Sequence, residues 1–298
     1  MVACNHGGSH EFWFLPDILT DEQKQLERQF REHLQSKGLL IQNYCDELVL
    51  LRFLKARQWD IPLATSMYKA MGQWRKEHQV DELYRTFDFP ELKDLLLVYP
   101  HFYHKTDKNG RPVYIEMLGK TDCAQMLNIT TVDKFYKYHI WSWERFEKQV
   151  LPAVSKWNGA PLLTCVVIID LKGLSMKNFT LTTQKVLSKI FKVDQDYYPE
   201  HLAVMYVINT PTLFKAIWNV ISPWLEERTR KKIQVYGADY EPALRDMIPE
   251  ENLLTIFGGK SELPDHYATV GPWMDVEPCK SCTFYPEGNV DKPKLQQS

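Results

Sequence analysis

The sequence predicts an α/β chain, in which a helical N-terminal part leads into a largely parallel sheet. Three observations predict it. Apolar residues recur at helical spacing through the first third. From about residue 95, short β-branched runs alternate with longer helical patterns, as strand–helix–strand units do. One of those runs, LLTCVVIID, is apolar almost throughout, which suits a strand buried on both faces.

The elements follow in order. Residues 1–19 form an extension. Thr20 is placed to cap the helix DEQKQLERQFREHLQ. DELVLLRFLKAR is apolar nearly all round and so is expected to be buried. WDIPLATSMYKAMGQWRKEH carries Ile61, Ala64, Met67, Tyr68, Met71 and Trp74 at helical spacing. These helices make a subdomain over 20–85, and a second domain spans 86–275. There the turn DKNG, whose Asn-Gly pair suits positive φ, introduces the strand RPVYIEML. VDKFYKYHIWSWERFEKQVLPAVSKW reads as one long helix. LLTCVVIID, AVMYVIN and IQVYG are the next three strands, with the helix LTTQKVLSKIFKVDQ between the first two. The tail, 276–298, has little apolar content and is expected to be loose.

Composition removes several function classes. A net charge of −2 gives no bulk attraction to nucleic acid. The longest apolar run, Leu162–Ile169, falls far short of the ~20 residues a membrane span needs. MVACNHGGSH lacks a signal pattern, Val2 excludes myristoylation, and no prenylation box closes the chain. Scattered cysteines suit a reducing compartment, so the cytosol is expected. Cys279 and Cys282 form a lone C-x-x-C, read as two free thiols.

Enzyme signatures fail on inspection. GGKS at 258–261 resembles the end of a phosphate-binding loop, but Leu254 stands where that loop needs glycine. No G-x-S-x-G elbow and no G-x-G-x-x-G is present. His101 and His104 are spaced like a weak metal pair without further ligands, so no metal and no cofactor is expected.

One segment has two opposed halves. In FKAIWNVISPWLEERTRKKI, residues Leu213, Phe214, Ile217, Trp218, Val220, Ile221, Trp224 and Leu225 cover an arc of roughly 160° on a helical wheel. Lys215, Asn219 and Ser222 lie opposite. Thr210-Pro211 and Ser222-Pro223 each fit a cap followed by a first-turn proline, predicting two successive helices. The second begins acidic and ends on Arg230, Lys231 and Lys232, which complements the helix dipole. A helix covering the sheet and a lid over an apolar cavity both explain the arc.

Six blocks then stand in one order: LLRFLKARQWDIPLA, YHKTDKNGRPVYIEMLG, VVIIDLKGLS, YYPEHLAVMYVINTPTLFKAIW, KKIQVYGADY and LLTIFGGKSELPD. Together they resemble the Sec-fourteen family of lipid-transfer proteins, over about residues 20 to 275. The resemblance implies a CRAL-TRIO-N helical subdomain and a CRAL-TRIO domain. The latter is a mixed, mostly parallel sheet flooring a large apolar cavity under a helical gate. By this resemblance the gate carries Phe214, Ile217, Trp218, Ile221, Trp224 and Leu225. The phosphatidylinositol headgroup set falls on Arg57, Glu200, Thr229 and Lys232, with Gln58 where a second basic residue is expected. The phosphatidylcholine set matches at Tyr103 and Tyr114. It departs at Cys165 and Val167, where serine and threonine are expected, and at His201, where arginine is expected. Valine donates no hydrogen bond and a buried thiol is a poor donor, so the second pocket is expected to be drier, suiting a less polar ligand such as a sterol.

The resemblance thus implies a monomeric cytoplasmic carrier that visits Golgi or endosomal membranes and exchanges phosphatidylinositol for a second lipid, without covalent chemistry. Two other classes stay open. One is a lipid-sensing interaction module whose partner contacts EFWFLP at 11–16 or the tail. The other is an enzyme acting on a lipid.

Overall fold

A computed structural model of the chain describes residues 19–274. EFWFLP, Cys279, Cys282 and the tail lie outside the described residues.

The N-terminal helices form as their sequences dictate. Helix α1 (Asp21–Ser36) starts on Thr20, whose Oγ1 accepts from the Gln23 amide at 3.2 Å, while the Gln23 side chain accepts from the Thr20 amide at 3.1 Å. The capping box thereby meets two of the amide donors at the helix start. Helix α2 (Glu47–Ala56) is capped by Asp46, and α3 (Ile61–Glu77) by Asp60 with Pro62 in its first turn. Their apolar faces share one core with the sheet: Phe30, Leu50, Phe53 and Tyr68 pack in the same cluster as Phe146, Val150, Cys165 and Val167. Arg52, in the middle of α2, is fully buried, which its apolar neighbours do not foretell. Short helices α4 (Val80–Thr86) and α5 (Leu92–Val98) lead into the sheet.

The sheet has five strands in the order β1-β2-β3-β4-β5: His101–Thr106, Pro112–Glu116, Cys165–Asp170, Leu202–Ile208 and Ile233–Val235. Strands β2 to β5 pair in parallel, and β1 pairs antiparallel with β2. β1 was not predicted: HFYHKT is polar at alternate and adjacent positions and breaks at a bulge, so it carries no clear period. In the DKNG turn only Gly110 takes positive φ, and the Asp107 carboxylate accepts from the amides of Asn109 and Arg111. β3 is buried at every position, as predicted. Val166 and Ile168 face a core closed by α12 (Glu241–Met247), whereas Cys165, Val167 and Ile169 belong to the cluster that includes the N-terminal helices. The loops after β2 and β3 touch through glycines: a Cβ on Gly119 would stand 2.1 Å from the Lys172 carbonyl oxygen.

The long predicted helix is three pieces. Helix α7 (Val132–Arg145) and α8 (Leu151–Asn158) are joined by a π turn over Phe146–Val150. Glu144, just before the π turn, and Glu147, within it, are both buried. Helix α6 (Cys123–Ile129) precedes them, and α9 (Leu181–Tyr197) joins β3 to β4.

The histidines once considered as a metal pair are both hydrogen-bonded to protein groups. His101 bonds the Tyr99 carbonyl and the Tyr138 hydroxyl, and His104 bonds the Ser261 hydroxyl. Burial pushes each down to about 4. Burial also lowers His201. Unfolded, each takes a proton near its ordinary value of about 6.5, while the folded chain refuses it. The unfolded state therefore binds more protons below that pH, and stability falls as pH drops. Between pH 6.5 and 5 stability is expected to decline by up to about 1.4 kcal/mol per pH unit for each histidine, and the melting temperature with it. A flat thermal melt across that window would refute this.

Candidate functional site

A cavity of about 440 Å³ opens between the sheet and helices α7, α9 and α10 (Phe214–Ile221), far larger than the second cavity of about 60 Å³ near α6. Its floor includes Tyr103 and Tyr114, direct partners across β1 and β2 with ring centroids 5.0 Å apart. Neither hydroxyl has a hydrogen-bond partner among the described residues. Cys165 and Val167 continue the floor on β3.

Helix α10 covers the cavity with Phe214, Ile217, Trp218 and Ile221, joined by Leu225. It starts three residues after Pro211, because Pro211 to Leu213 form a turn and Thr210 instead donates to the Tyr236 carbonyl. Val220 points outward. Trp224 does not line the cavity; its ring meets Phe191 and its carbonyl accepts from Gln195. Pro223 lies in a 3₁₀ turn (Ser222–Trp224), and the next helix, α11 (Glu227–Lys231), begins only at Glu227. The predicted helix start at Ser222-Pro223 is thus corrected: Leu225 is extended and breaks the run.

One end of the cavity is charged. Glu200 occupies the turn from α9 to β4 with φ +65°, an unusual conformation for a side-chain-bearing residue. Its carboxylate receives Lys232 Nζ at 3.3 Å, Arg228 at 3.2 Å and Lys55 Nζ at 3.6 Å. Burial would raise this acid, but Lys232, Lys55 and Arg228 outweigh burial and hold it below the ordinary value. Thr229 and Lys232 line the cavity beside it. Arg57 does not line the cavity. It ends α2, donating to the Ala56 carbonyl and to Glu226 Oε1 at 3.1 Å. Glu226 also takes Arg228 at 2.6 Å, and its amide donates to Gln195 Oε1. Lys55, Arg228 and Glu226 thus join the predicted set. Sequence offered a signal for them: Lys55 stands two residues before Arg57, and Glu226 and Arg228 lie within three residues of Thr229.

His201 lines the cavity, but both of its ring nitrogens are engaged by protein groups. Its Nδ1 donates to the Leu163 carbonyl at 2.7 Å, while Nε2 faces Arg52 and Glu147. Cys165 Sγ donates to the His201 carbonyl, and burial pushes the thiol up to about 12.

The family models agree with this architecture. The CRAL/TRIO domain matches residues 98–259, and the CRAL/TRIO N-terminal domain matches 28–70.

The chain belongs to the CRAL/TRIO family.

It is 37% identical over 285 residues to the SEC14 cytosolic factor of Kluyveromyces lactis, covering 93% of this chain and 91% of that protein. It is also 37% identical over 265 residues to the phosphatidylinositol/phosphatidylcholine transfer protein SFH4 of Arabidopsis thaliana. That match covers 88% of this chain but 44% of SFH4, so the chain spans less than half of the plant relative. The crystal structure of Sfh5 superposes with a TM-score of 0.61 at 19% identity, over 81% of this chain and 88% of that one. It shares the fold. No helix among the described residues of this CRAL/TRIO chain is long and apolar enough to cross a membrane.

Proposed function

We propose that the chain extracts phosphatidylinositol from one membrane and delivers it to another, without covalent chemistry. The observation that carries this reading is the pairing of an apolar cavity with a cationic end. Acyl chains need a continuous apolar lining, because each methylene shielded from water is worth ~0.8 kcal/mol. The headgroup phosphodiester needs Arg, Lys and hydroxyl donors, which Arg57, Lys232 and Thr229 supply. Glu200 accepts from inositol hydroxyls. Helix α10 is the gate, since an apolar cavity left open is an exposed apolar patch. The names borne by the Kluyveromyces and Arabidopsis relatives favour this over a lipid-sensing module or a lipid-modifying enzyme. The carrier acts as a monomer in the cytoplasm and meets Golgi or endosomal membranes only during exchange. Transfer of labelled phosphatidylinositol between vesicles by the purified chain tests it; absence of transfer rejects it.

The headgroup end also sets a pH dependence. Burial, with Lys232 and Arg228 nearby, pushes Lys55 down to about 8 although Glu200 opposes the shift. A bound phosphodiester adds negative charge and favours the protonated lysine. Binding above pH 8 must therefore take up a proton, and affinity falls as pH rises. Phosphatidylinositol binding is expected to weaken several-fold between pH 7 and 9, and Lys55→Arg, which stays charged, is expected to remove most of that slope.

A further inference from the structure

The foot of the gate is held from two sides. Gln195, near the end of α9, clasps the backbone around Leu225. Its Nε2 donates to the Trp224 carbonyl at 2.9 Å, and its Oε1 accepts from the Glu226 amide at 2.6 Å. Leu225 is the extended residue between the gate and α11, so the clasp pins the break in the segment. The Glu226 side chain makes no cap to α11 and reaches instead to the cations of the headgroup end. Its Oε1 accepts from Arg57 at 3.1 Å and its Oε2 from Arg228 at 2.6 Å. Arg228 also meets Glu200 at 3.2 Å and donates to the Lys55 carbonyl at 3.0 Å. A continuous series of contacts therefore runs from Gln195 on α9 to Arg57 at the end of α2. Glu226 lines the cavity and Arg57 does not, so Arg57 meets the cavity wall through this carboxylate.

We propose that Glu226 is an autoinhibitory latch: its carboxylate holds the place of the headgroup phosphate on Arg57 and Arg228, and a phosphodiester that displaces it frees the foot of the gate. The inference rests on the reading of the charged end as a headgroup site. A carboxylate and a phosphodiester each offer two acceptor oxygens to a guanidinium, so they compete for the same donors. Glu226 has the advantage of its tether, which keeps it at a high effective concentration beside Arg57. All three side chains are partly solvated, so the ion pairs are weak enough to yield to a ligand. Once Glu226 turns away, the two hydrogen bonds of Gln195 are left to hold the foot. Gln195 is a positioning residue in this scheme, since it acts on the backbone of the foot. Linkage is reciprocal: a phosphate that displaces Glu226 favours the open gate by as much as opening favours the phosphate. The latch thus keeps the gate shut in water and releases it where phosphodiester headgroups are dense, at a bilayer surface.

Amide hydrogen exchange over residues 213–226 of the full chain reads the gate, with glycerophosphoinositol, the headgroup without acyl chains, as the probe. In the unmodified chain, saturating probe is expected to speed exchange there roughly threefold. Glu226→Gln keeps the shape and the backbone amide and loses the charge. It is expected to reach the faster rate without probe, to gain nothing further from it, and to bind it roughly threefold more tightly. Gln195→Ala is expected to speed gate exchange while leaving probe affinity within about twofold, a split that general destabilisation does not produce. Exchange over β3 is read alongside as the measure of an intact fold. Should Glu226→Gln disturb it, Arg57→Gln, which breaks the same contact from the other side, is read for the gate rate. A gate rate unchanged by the variant, or probe affinity unchanged or weakened in Glu226→Gln, overturns the latch. Failure of the probe to bind the unmodified chain rejects the headgroup reading, and the probe-free rate of Glu226→Gln then judges the latch alone. Probe binding without any change at the gate rejects only the latch.

Discussion

Changing Arg57 and Lys232 together to alanine is expected to abolish phosphatidylinositol transfer while leaving the fold intact. Charge-assisted hydrogen bonds are worth roughly 1.5–3 kcal/mol each, so two lost contacts cost about 3–6 kcal/mol, more than 100-fold in affinity. The partners left behind deepen the loss. Glu226 without Arg57 and Glu200 without Lys232 are each left with less compensated negative charge beside the phosphate. The fold survives because both side chains are partly solvated, and Glu200 keeps Lys55 and Arg228. Arg57 lies outside the cavity lining, so its contact with the phosphate requires it to release Glu226. Its guanidinium now holds Glu226, at the foot of the gate, and a phosphate competes for the same donors. Vesicle transfer by the double variant within threefold of the unmodified chain would sink the headgroup assignment.

Removing the Glu147 side chain is expected to cost about 3–5 kcal/mol of stability, the usual penalty for stranding the partner of a buried ion pair. Glu147 takes Arg52 at 2.8 Å and the Tyr44 hydroxyl at 2.7 Å, and both charges are almost completely buried. Burial would raise this acid, yet the Arg52 charge, with His201 and the Tyr44 hydroxyl, outweighs burial and holds it well below the usual carboxylate range. Arginine cannot shed its proton to escape. Glu147→Ala therefore leaves a bare cation between α2 and the π turn, and the melting temperature is expected to fall by about 10 °C. Replacing both partners by apolar residues, Arg52→Met with Glu147→Leu, is expected to recover a large part of the loss. A single variant that melts within 2 °C of the unmodified chain would show that the network is not structural. The same pair adds an acid limit: its contribution is present above the unfolded carboxyl value near 4.5 and is lost as pH falls below it.

Much of this was legible in the sequence because it depends on local pattern. Thr20 with Gln23 spells a capping box, β3 is apolar at nearly every step, and the two chemical halves of Phe214 to Ile233 separate at Pro223. The family resemblance grouped Glu200, Thr229 and Lys232, and all three line the cavity. Tertiary structure decided what no period encodes. β1 is a strand because β2 pairs with it, although HFYHKT has no strand pattern of its own. Glu144, near the end of α7, and Glu147, in the π turn, are both buried where Arg75 and Arg52 arrive from the N-terminal helices. Arg57 meets Glu226 across a sequence separation of 169, and Asp194 meets His139 across 55. Sequence determined which elements form and what chemistry they carry, since propensity, capping and burial act within a few residues. Only the packed chain decided which charges face each other, because an ion pair depends on distance in space.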